Sequence, residues 1–549
     1  MKILIVDCLA VGEGRRRFSR DFIGGGPKLI AGVLNQLSLR NLNVKIYRAE
    51  RILTNKKEKA NIINAYDLCL ISAMTMDIKS VQKVIKIWRD FNNDKLVIVG
   101  GPISSDPDLI KKIDADIVCQ GEGEKKIYSI INILQDNQEK INKRLEIVEG
   151  IVYRYLGKYF KTKPSNILSF EDLNKYSNPN YFIKNIIDYK QYKAARIYIE
   201  CLRGCSNFYR MKFPLNTNKI CVESCNNCRE GDLTNRIECI KQIPPGCGFC
   251  STISNFGFPK SRSEKFIIAE IKALLRIGAK RIVLGGPDFL DYKREKTVEK
   301  NILTTPIVPP EPNYKALESL INQIIILKQV KEEKVQIFIE NVKASLCTEK
   351  ALKILAKIPN SIFSIGCETG SEKFAKELGR PFGPSETLKA VKIANSVGIR
   401  VQVYFIHSLP GEKMKYLKES IELIDKFYEL GVEKITLYKY QKLPGSPFYL
   451  IQKQRDLSAE NKKQLNRFRK KLVKRAINFN RMRKEEMINN TFRVILAETS
   501  IFDNSDAIGY IIRGGPKVLI KNASAQLGKE VDLKIIRMLT DKFVEGEIL

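Results

Sequence analysis

The stretch "SRSEKFIIAEIKALLRIGAKRIVLGGPDF" (residues 261–289) decides the fold class of the larger part of this 549-residue chain. Apolar residues recur at helical spacing over residues 266–275, and the short apolar run "RIVL" follows and ends at two glycines. A helix that leads into a buried strand is the repeating unit of a parallel α/β sheet. We therefore expect such a sheet around this stretch.

The same alternation of strand and helix extends over residues 195–450. Its predicted strands are "RIYIEC" (196–201), "RIVLGG" (281–286), "VQIFIEN" (335–341), "SIFSIGCE" (361–368), "RVQVYFI" (400–406) and "KITLYKY" (434–440). Six strands, each beside an amphipathic helical stretch, predict a full or partial α/β barrel over residues 193–455. In such barrels the chemistry takes place at the carboxyl ends of the strands.

Residues 1–130 also alternate between apolar strands and helices, which predicts a doubly wound parallel sheet covered on both faces. Glycine turns close its strands at "GGGP" (24–27), "GGP" (100–102) and "GEGE" (121–124). Ligands bind such sheets at the carboxyl ends of the strands, where these turns lie. The candidate binding glycines are Gly24, Gly25, Gly100, Gly101 and Gly121.

Three further segments complete the predicted organisation. Residues 131–192 form a connector that contains a hairpin, "EGIVYRYLGKYFKT" (149–162), and residues 456–490 form a basic helical linker. Residues 491–549 consist of short strands separated by Gly, Asn and Asp turns, which is typical of a small five-stranded, OB-like β-barrel. The chain is therefore expected to be an α/β protein with an additional C-terminal barrel.

Charge indicates an anionic partner. Lys and Arg outnumber Asp and Glu by 94 to 61, and a formal charge of +33 attracts polyanions, nucleic acid first among them. The alternative is a lysine-rich surface of the kind common in proteins from thermophiles. The sequence contains no run of about 18 uncharged apolar residues, so no transmembrane helix is predicted. The start lacks the features of a signal peptide. We therefore expect a cytoplasmic protein with no membrane partner.

Cysteine is concentrated in one region, because 8 of the 13 residues lie between Cys201 and Cys250. In a cytoplasmic chain, clustered cysteines indicate metal binding rather than disulfides. Two clusters stand out. The first, Cys221, Cys225 and Cys228, has x3/x2 spacing, whereas the second is a CxxC formed by Cys247 and Cys250.

Several motifs occur together in one order along residues 195–455. They are "LRGCSN" (202–207), "GCGFCS" (246–251), "GGPDF" (285–289), "IGCETGSEKFAKELGRPF" (365–382), "HSLPGE" (407–412) and "LPGSP" (443–447). This arrangement resembles the radical S-adenosylmethionine (SAM) superfamily. The resemblance implies a [4Fe–4S] cluster held by three cysteines after the first strand, with the fourth iron left open for SAM. An electron from the cluster, supplied by a donor such as ferredoxin or flavodoxin, then releases a 5′-deoxyadenosyl radical.

The resemblance also implies roles for individual residues. Gly285 and Gly286 stand where the family binds the methionine amine, and Glu368 where a carboxylate meets the ribose. Phe249 occupies the aromatic position that lies near the adenine. His407 follows the fifth strand and contributes either a structural hydrogen bond or proton transfer. The resemblance assigns no catalytic acid or base.

Two cysteine triplets compete for the cluster. By position, the resemblance favours Cys205 in "RGC" with Cys247 and Cys250 in "CGFC"; by spacing, it favours Cys221, Cys225 and Cys228. The first choice leaves a 41-residue insertion, 206–246, between the first two ligands. Loop closure tolerates such a length. The insertion would then hold an auxiliary zinc ion or a second iron–sulfur cluster on Cys221, Cys225, Cys228 and Cys239.

The two flanking regions resemble other modules. "VIVGGPISSDPDLIKKIDADIVCQGEGEKKI" (97–127) is similar to the cobalamin-binding domain that precedes many radical SAM enzymes. Because His407 is the only histidine, cobalamin would have no imidazole ligand in this region. The alternative is a sheet of this family that has lost its corrin. "LGKEVDLKIIRMLTDKFVEGEI" (527–548) resembles the TRAM domain, a tRNA-binding module.

These resemblances imply three functions. The first is a radical SAM enzyme that modifies RNA, with tRNA as the expected partner, by methyl transfer from cobalamin. The second is a tRNA methylthiotransferase-like sulfur insertion. The TRAM-like region favours it, whereas the N-terminal region lacks the cluster-binding cysteines of those enzymes. The third is a non-catalytic iron–sulfur protein that binds RNA.

Overall fold

The structure is a computed structural model that describes residues 1–8, 21–37, 42–54, 59–135, 144–207, 209–212, 239–296, 311–451 and 458–549. Its strands are β1 Lys2–Asp7, β2 Phe22–Ile23, β3 Asn43–Arg48, β4 Leu68–Ser72, β5 Val97–Gly100, β6 Ile117–Cys119, β7 Ile151–Tyr155, β8 Lys158–Lys161, β9 Arg196–Glu200, β10 Leu202–Arg203, β11 Lys260–Ser261, β12 Arg281–Gly285, β13 Gln336–Val342, β14 Ile362–Glu368, β15 Arg400–His407, β16 Lys434–Lys439, β17 Thr491–Thr499, β18 Ala507–Ile511, β19 Lys517–Ile520, β20 Glu530–Met538 and β21 Phe543–Ile548.

The α-helices alternate with these strands over most of the chain. They are α1 Gly25–Gln36, α2 Ala49–Thr54, α3 Lys59–Asn64, α4 Ile78–Phe91, α5 Leu109–Lys112, α6 Glu124–Gln135, α7 Phe170–Tyr176, α8 Thr252–Phe256, α9 Glu264–Arg276, α10 Tyr314–Ile325, α11 Lys328–Lys331, α12 Glu349–Ala356, α13 Glu372–Glu377, α14 Pro384–Ser396, α15 Met414–Glu429 and α16 Ala459–Glu485. The chain divides into an N-terminal unit, Met1–Tyr198 with Arg262–Gly278, and a C-terminal unit, Ile199–Ser261 with Ala279–Leu549.

The N-terminal unit is built on one seven-stranded sheet in the order β3–β1–β4–β5–β6–β7–β8. Strands β3, β1, β4, β5 and β6 are parallel, as predicted, and Ile5 of β1 lies opposite Ile46 of β3 and Leu70 of β4. All three side chains are buried, because helices cover the sheet. The predicted hairpin is β7–β8, and it extends this sheet in antiparallel fashion.

A buried ion cluster joins two helices of the N-terminal unit. Lys28 of α1 lies 2.5 Å from Glu270 of α9, and Arg262 donates to the other carboxylate oxygen of Glu270 at 2.8 Å. All three residues are at most 1% exposed. Charges removed from water in this way are tolerated only when they are paired.

The C-terminal unit contains the second predicted sheet. Its parallel strands lie in the order β16–β15–β14–β13–β12. The backbone N–H of Cys201, which directly follows β9, donates to the carbonyl of Gly285 at the end of β12 (2.8 Å). The sheet is open at β16, so the prediction of a partial barrel is confirmed.

The last five strands form a separate closed barrel in the order β17–β18–β19–β21–β20, as predicted. Its interior is filled by alternating side chains of these strands, including Val494, Leu496, Val518 and Leu533. The 27-residue helix α16 precedes it, and the Ser458 hydroxyl caps the start of that helix by accepting from the backbone N–H of Asn461. None of the helices in the described ranges is long and apolar enough to cross a membrane.

Candidate functional site

The three cysteines favoured by position lie in two short loops of the C-terminal unit. Cys205 follows β10, and its backbone N–H donates to the carbonyl of Gly257 at 3.1 Å. Cys247 and Cys250 lie in the turn before α8, which is closed by a hydrogen bond from Cys250 N–H to the Cys247 carbonyl (2.9 Å). All three thiols are free and half-buried.

The described ends of the insertion meet at the same place. The Asn207 side chain donates from Nδ2 to the Cys247 sulfur (3.2 Å), and its backbone N–H donates to the Cys205 sulfur (3.4 Å). The backbone N–H of Gly246 donates to the Tyr209 carbonyl at 2.6 Å. A connection of 41 residues therefore starts and ends beside the same pair of cysteines.

Gly204, which was not among the predicted site residues, sets the path of the chain into Cys205. Its φ is +89°, a left-handed conformation that residues with a side chain disfavour. A Cβ at this position would lie 2.2 Å from the carbonyl oxygen of Phe258. The glycine of the "RGC" motif was the available signal, because only glycine permits this close approach.

The "CGFC" turn is fixed from behind by other motif residues. Gly248 donates to the carbonyl of Leu378 (2.8 Å) and accepts from the backbone N–H of Phe448 (2.7 Å). A Cβ at Gly248 would meet the Phe448 ring at 2.6 Å. Phe249 and Cys239 both pack, partly buried, against the apolar cluster that contains Phe448. The turn thus packs against the "LPGSPF" segment, 443–448.

Burial dominates the electrostatics of the Cys205 and Cys247 thiols. It raises the pKa of Cys205 and raises the pKa of Cys247 to about 12. Nearby cations act in the opposite direction, Lys343 on the Cys205 pKa and Arg380 on the Cys247 pKa. Thiols bind metal as thiolates, so occupancy of this site by iron would release protons.

A buried charge network, which was not predicted from the sequence, lies beside Cys205. Lys343 Nζ, just after β13, lies 2.7 Å from Asp291, 3.4 Å from Asp288 and 2.6 Å from the Ser206 hydroxyl. Burial raises the pKa of Asp288 to about 6. The pKa of Asp291 lies below its ordinary value, because Lys343 and Arg294 outweigh the effect of burial. The aspartate of "GGPDF" was the available signal.

The two glycines predicted to bind the methionine amine lie at the end of β12. The Gly285 carbonyl is already occupied by the Cys201 N–H. Gly286 donates to the carbonyl of Glu340 (3.2 Å), and a Cβ there would lie 2.8 Å from the Leu202 side chain. The absence of a side chain at Gly286 therefore lets Leu202 of β10 approach the end of β12.

Two adjacent strands end in strained residues. Glu368, at the end of β14, has φ +67°, and Ser408, directly after β15, has φ +64°. Left-handed backbone at non-glycine residues is uncommon and accumulates at functional sites. The Glu368 carboxylate lies 3.4 Å from Arg380, and burial raises its pKa. These strand ends are the edge at which barrels of this type carry their chemistry.

His407 precedes Ser408, and its Nδ1 lies 3.0 Å from the Ser408 hydroxyl. Burial, together with Arg469 and Lys439, lowers its pKa. The lowered pKa favours the neutral form of the ring. Both predicted roles of His407, a structural hydrogen bond and proton transfer, are compatible with this form and stay predictions.

The auxiliary metal site remains a prediction, because Cys221, Cys225 and Cys228 lie outside the described residues. Cys201 is buried with its thiol directed to the Ile199 carbonyl (3.7 Å). Within the part of the chain that the structure describes, no three His, Cys, Asp or Glu side chains lie close enough to hold a single metal ion. Five further cysteines are all buried: Cys8, Cys69, Cys119, Cys347 and Cys367.

The candidate glycines of the N-terminal unit lie at the carboxyl edge of its sheet. Gly24 and Gly25 begin α1, Gly100 ends β5 and Gly121 follows β6. A Cβ at Gly24 or Gly121 would meet no other atom within 4 Å, so space is open above these turns. Gly101 differs, because a Cβ there would lie 2.8 Å from the Ala73 carbonyl oxygen.

Comparison with protein families matches residues 244–424 to the radical SAM superfamily. The chain is 38% identical to an uncharacterised protein of Methanocaldococcus jannaschii over 100% of this chain and 99% of that protein. It is 32% identical to an uncharacterised protein of Methanopyrus kandleri over 100% of this chain and 96% of that protein. A tRNA-2-methylthio-N(6)-dimethylallyladenosine synthase of Finegoldia magna is 24% identical over 53% of this chain and 58% of that enzyme.

Two solved structures share the fold. One is the radical SAM methyltransferase TsrM of Kitasatospora setae, with a TM-score of 0.55, 12% identity, and coverage of 81% of this chain and 74% of that one. The other is the cobalamin-dependent radical SAM enzyme OxsB, with a TM-score of 0.52, 13% identity, and coverage of 85% of this chain and 56% of that one. At these identities the similarity concerns the fold alone.

Proposed function

Because this chain belongs to the radical SAM superfamily, we propose that it is a radical SAM enzyme that methylates RNA, with tRNA as substrate and cobalamin as methyl carrier. One observation supports the proposal most directly. Asn207 bridges Cys205 and Cys247, and Cys250 is hydrogen-bonded to Cys247, all within the C-terminal unit.

The donor set at this place fits a [4Fe–4S] cluster. Three thiols suit iron, and three ligands leave one iron open. We assign Cys205, Cys247 and Cys250 as the cluster ligands. Reduced by a donor such as ferredoxin or flavodoxin, the bound cluster would cleave SAM to a 5′-deoxyadenosyl radical.

Residues around the cysteines are proposed to bind SAM. Gly285 and Gly286 would receive the methionine amine, Glu368 the ribose and Phe249 the adenine. Glu368 supports this role, because its left-handed backbone and its ion pair with Arg380 hold the carboxylate at a strand end. Phe249 supports it because the side chain is only partly buried.

The N-terminal unit fits a large, flat cofactor at the carboxyl edge of its sheet. Gly24 and Gly121 leave open space there, and Gly24, Gly25, Gly100, Gly101 and Gly121 would present backbone rather than side chains. TsrM and OxsB, which share the fold, have been solved with cobalamin bound. When bound, cobalamin would supply the methyl group.

RNA is proposed as the substrate on two grounds. The net charge of +33 favours a polyanion, and the closed C-terminal barrel, TRAM-like in sequence, suits contacts along a nucleic-acid backbone. A relative in Finegoldia magna is named for its action on tRNA.

The second candidate is methylthiolation of tRNA. The name of that same relative favours it, and an auxiliary cluster on Cys221, Cys225, Cys228 and Cys239 would provide a place for sulfur. The two reactions differ in product, since one adds a methyl group and the other a methylthio group.

The test compares tRNA nucleosides from cells with and without the gene by mass spectrometry. We expect one methylated nucleoside to be missing from cells without the gene. It should be formed again in that tRNA, with a deuterated methyl group, when purified enzyme, cobalamin and methyl-deuterated SAM are added under reducing, anaerobic conditions. A missing methylthio nucleoside would favour the second candidate. An unchanged set of nucleosides would contradict both.

Purified protein provides a test that does not depend on the substrate. Reconstituted anaerobically and reduced with dithionite, it should release 5′-deoxyadenosine from SAM. The visible spectrum of the protein after incubation with hydroxocobalamin and gel filtration measures corrin binding separately.

A further inference from the structure

Helix α16 carries an unusual concentration of positive charge. Its 27 residues include eleven Lys and Arg but two Glu. Four of its side chains, Leu465, Leu472, Ala476 and Phe479, are buried, and the helix packs against α15 and β16. Asn480 also fixes it to β16, because its amide exchanges two hydrogen bonds with the backbone of Ile435.

The face opposite these buried residues is a straight basic row, which we call the basic stripe. It consists of Lys463, Arg467, Lys470, Lys474 and Arg481. Their spacings of four, three, four and seven residues keep them on one side of a helix with 3.6 residues per turn. All five are exposed, and the stripe is about 27 Å long at about 1.5 Å per residue.

The charges of the stripe are not neutralised within the described part of the chain. Other arginines of α16 have carboxylate partners: Arg469 pairs with Glu412, Arg475 with Asp425 and Arg483 with Glu486. None of the five stripe residues forms an ion pair with a described residue. Like charges three and four residues apart destabilise a helix, so an external anion would relieve this repulsion.

We propose that the basic stripe binds the phosphate backbone of the RNA substrate, an inference that rests on the proposed function. A row of exposed Lys and Arg matches the row of charges along a nucleic-acid strand. A membrane surface fits less well, because the apolar face that would enter the bilayer is packed against α15 and β16. An acidic protein also fits less well, because lysine is depleted in protein interfaces.

The helix that carries the stripe packs against β20 of the C-terminal barrel. Arg481 lies in the last turns of α16, and Asn489, eight residues further on, donates its backbone N–H to the carbonyl of Ile535 in β20 at 2.8 Å. Contacts between the basic stripe and the RNA phosphates would therefore orient the RNA against the barrel without reading the RNA sequence.

The test uses the full-length, cluster-reconstituted protein and total tRNA from the source cells. The stripe variant carries Lys463→Gln, Arg467→Gln, Lys470→Gln and Lys474→Gln. A matched variant removes the same charge elsewhere on the C-terminal unit, through Lys328→Gln, Lys331→Gln, Lys334→Gln and Lys350→Gln, all at exposed positions. Thermal melting checks that both variants fold like the unaltered protein.

Binding is measured as a function of KCl concentration. Each lost phosphate contact reduces the magnitude of the slope of log affinity against log salt by about 0.7 to 0.9. Loss of four contacts should therefore reduce this magnitude by roughly 3 and weaken binding by about tenfold or more. The matched variant should lose less than about threefold, because only long-range attraction changes.

Two outcomes would overturn the proposal. One is a stripe variant that binds tRNA with the affinity and salt slope of the matched variant. The other is binding of the unaltered protein to vesicles of phosphatidylcholine and phosphatidylserine but not to tRNA. Release of 5′-deoxyadenosine should be the same in all three proteins. If it is absent from all three, the proposed radical chemistry fails, whereas the binding data still decide the role of the stripe.

Discussion

The side-chain amide of Asn207 donates to the sulfur of Cys247 at 3.2 Å, across 40 positions of sequence. The same amide donates to the carbonyl of Gly379 at 3.0 Å, and the Asn207 backbone donates to the Cys205 sulfur. One residue therefore connects two proposed cluster ligands that lie on either side of the insertion. It also anchors them to the loop after α13.

Replacing Asn207 should change the reduction potential of the cluster. Hydrogen bonds to the cysteine sulfurs stabilise the more negative, reduced state. Asn207→Ala removes the Nδ2 donor, and a loss of about 1 kcal/mol corresponds to roughly 40 mV lower potential for one electron. An EPR-monitored redox titration measures the change. An unchanged potential at full iron content would show that the amide does not act on the cluster.

Single cysteine replacements distinguish the two candidate triplets. Cys250→Ala should abolish release of 5′-deoxyadenosine, because the cluster would lose one of its three protein ligands. Cys228→Ala should leave that activity in place while it lowers the iron or zinc content. Cys347→Ala is the control for loss of a buried thiol. The opposite pattern, with activity lost in Cys228→Ala and kept in Cys250→Ala, would make our assignment wrong.

Gly204→Ala should displace Cys205 and lower the iron content after reconstitution. The added methyl group would lie 2.2 Å from the Phe258 carbonyl oxygen, so the loop would have to move. Gly157→Ala is the matched control, because Gly157 also has a positive φ (+73°) but open space at its Cβ position. The control bears the backbone strain of about 1 to 2 kcal/mol without the clash. Equal iron content in both variants would contradict the prediction.

Glu270→Gln should destabilise the N-terminal unit by about 3 kcal/mol or more at pH 7, because it leaves Lys28 and Arg262 buried without their counter-charge. Burial alone raises the pKa of Glu270, but the two cations outweigh it and lower the pKa. The stabilisation is therefore present above the unfolded-state pKa and is lost as pH falls through the lowered folded-state pKa.

Denaturant unfolding followed by tryptophan fluorescence measures this effect. The only tryptophan of the chain, Trp88, is buried in the N-terminal unit and reports its unfolding. The difference between Glu270→Gln and the unaltered protein should shrink as the pH is lowered below about 4. Asp108→Asn removes an exposed pair with Lys111 and should leave the free energy of unfolding nearly unchanged. A difference that does not vary with pH would contradict the assignment of charge to Glu270.

Much of the fold follows from local patterns in the sequence. The apolar run of β1 and its glycine-terminated neighbours predict a covered parallel sheet, and the alternation after residue 195 predicts the partial barrel. The short strands after residue 490 predict the closed barrel. Each of these signals lies within about 10 to 20 residues, because the periods of helix and strand are local properties.

Contacts between distant segments are not recorded in such patterns. The pairing of Lys343 with Asp291 and the passage of Gly204 beside Phe258 depend on how separate elements pack. The identity of a residue does not predict its partner, since, for example, a lysine after a strand is most often exposed. Of these four residues, only Gly204 lies within a motif; the aspartate of "GGPDF" is Asp288, which lies 3.4 Å from Lys343.

By itself, therefore, the sequence determined the order of the three folded regions, the superfamily and the positive charge, because composition, motif order and periodicity are carried by neighbouring residues. The tertiary structure alone decided that Asn207 reaches across the insertion to Cys247 and that the five cations of the basic stripe form no ion pair with a described residue. Both depend on the packing of segments far apart in the chain, where burial and hydrogen bonding select the partner of each side chain.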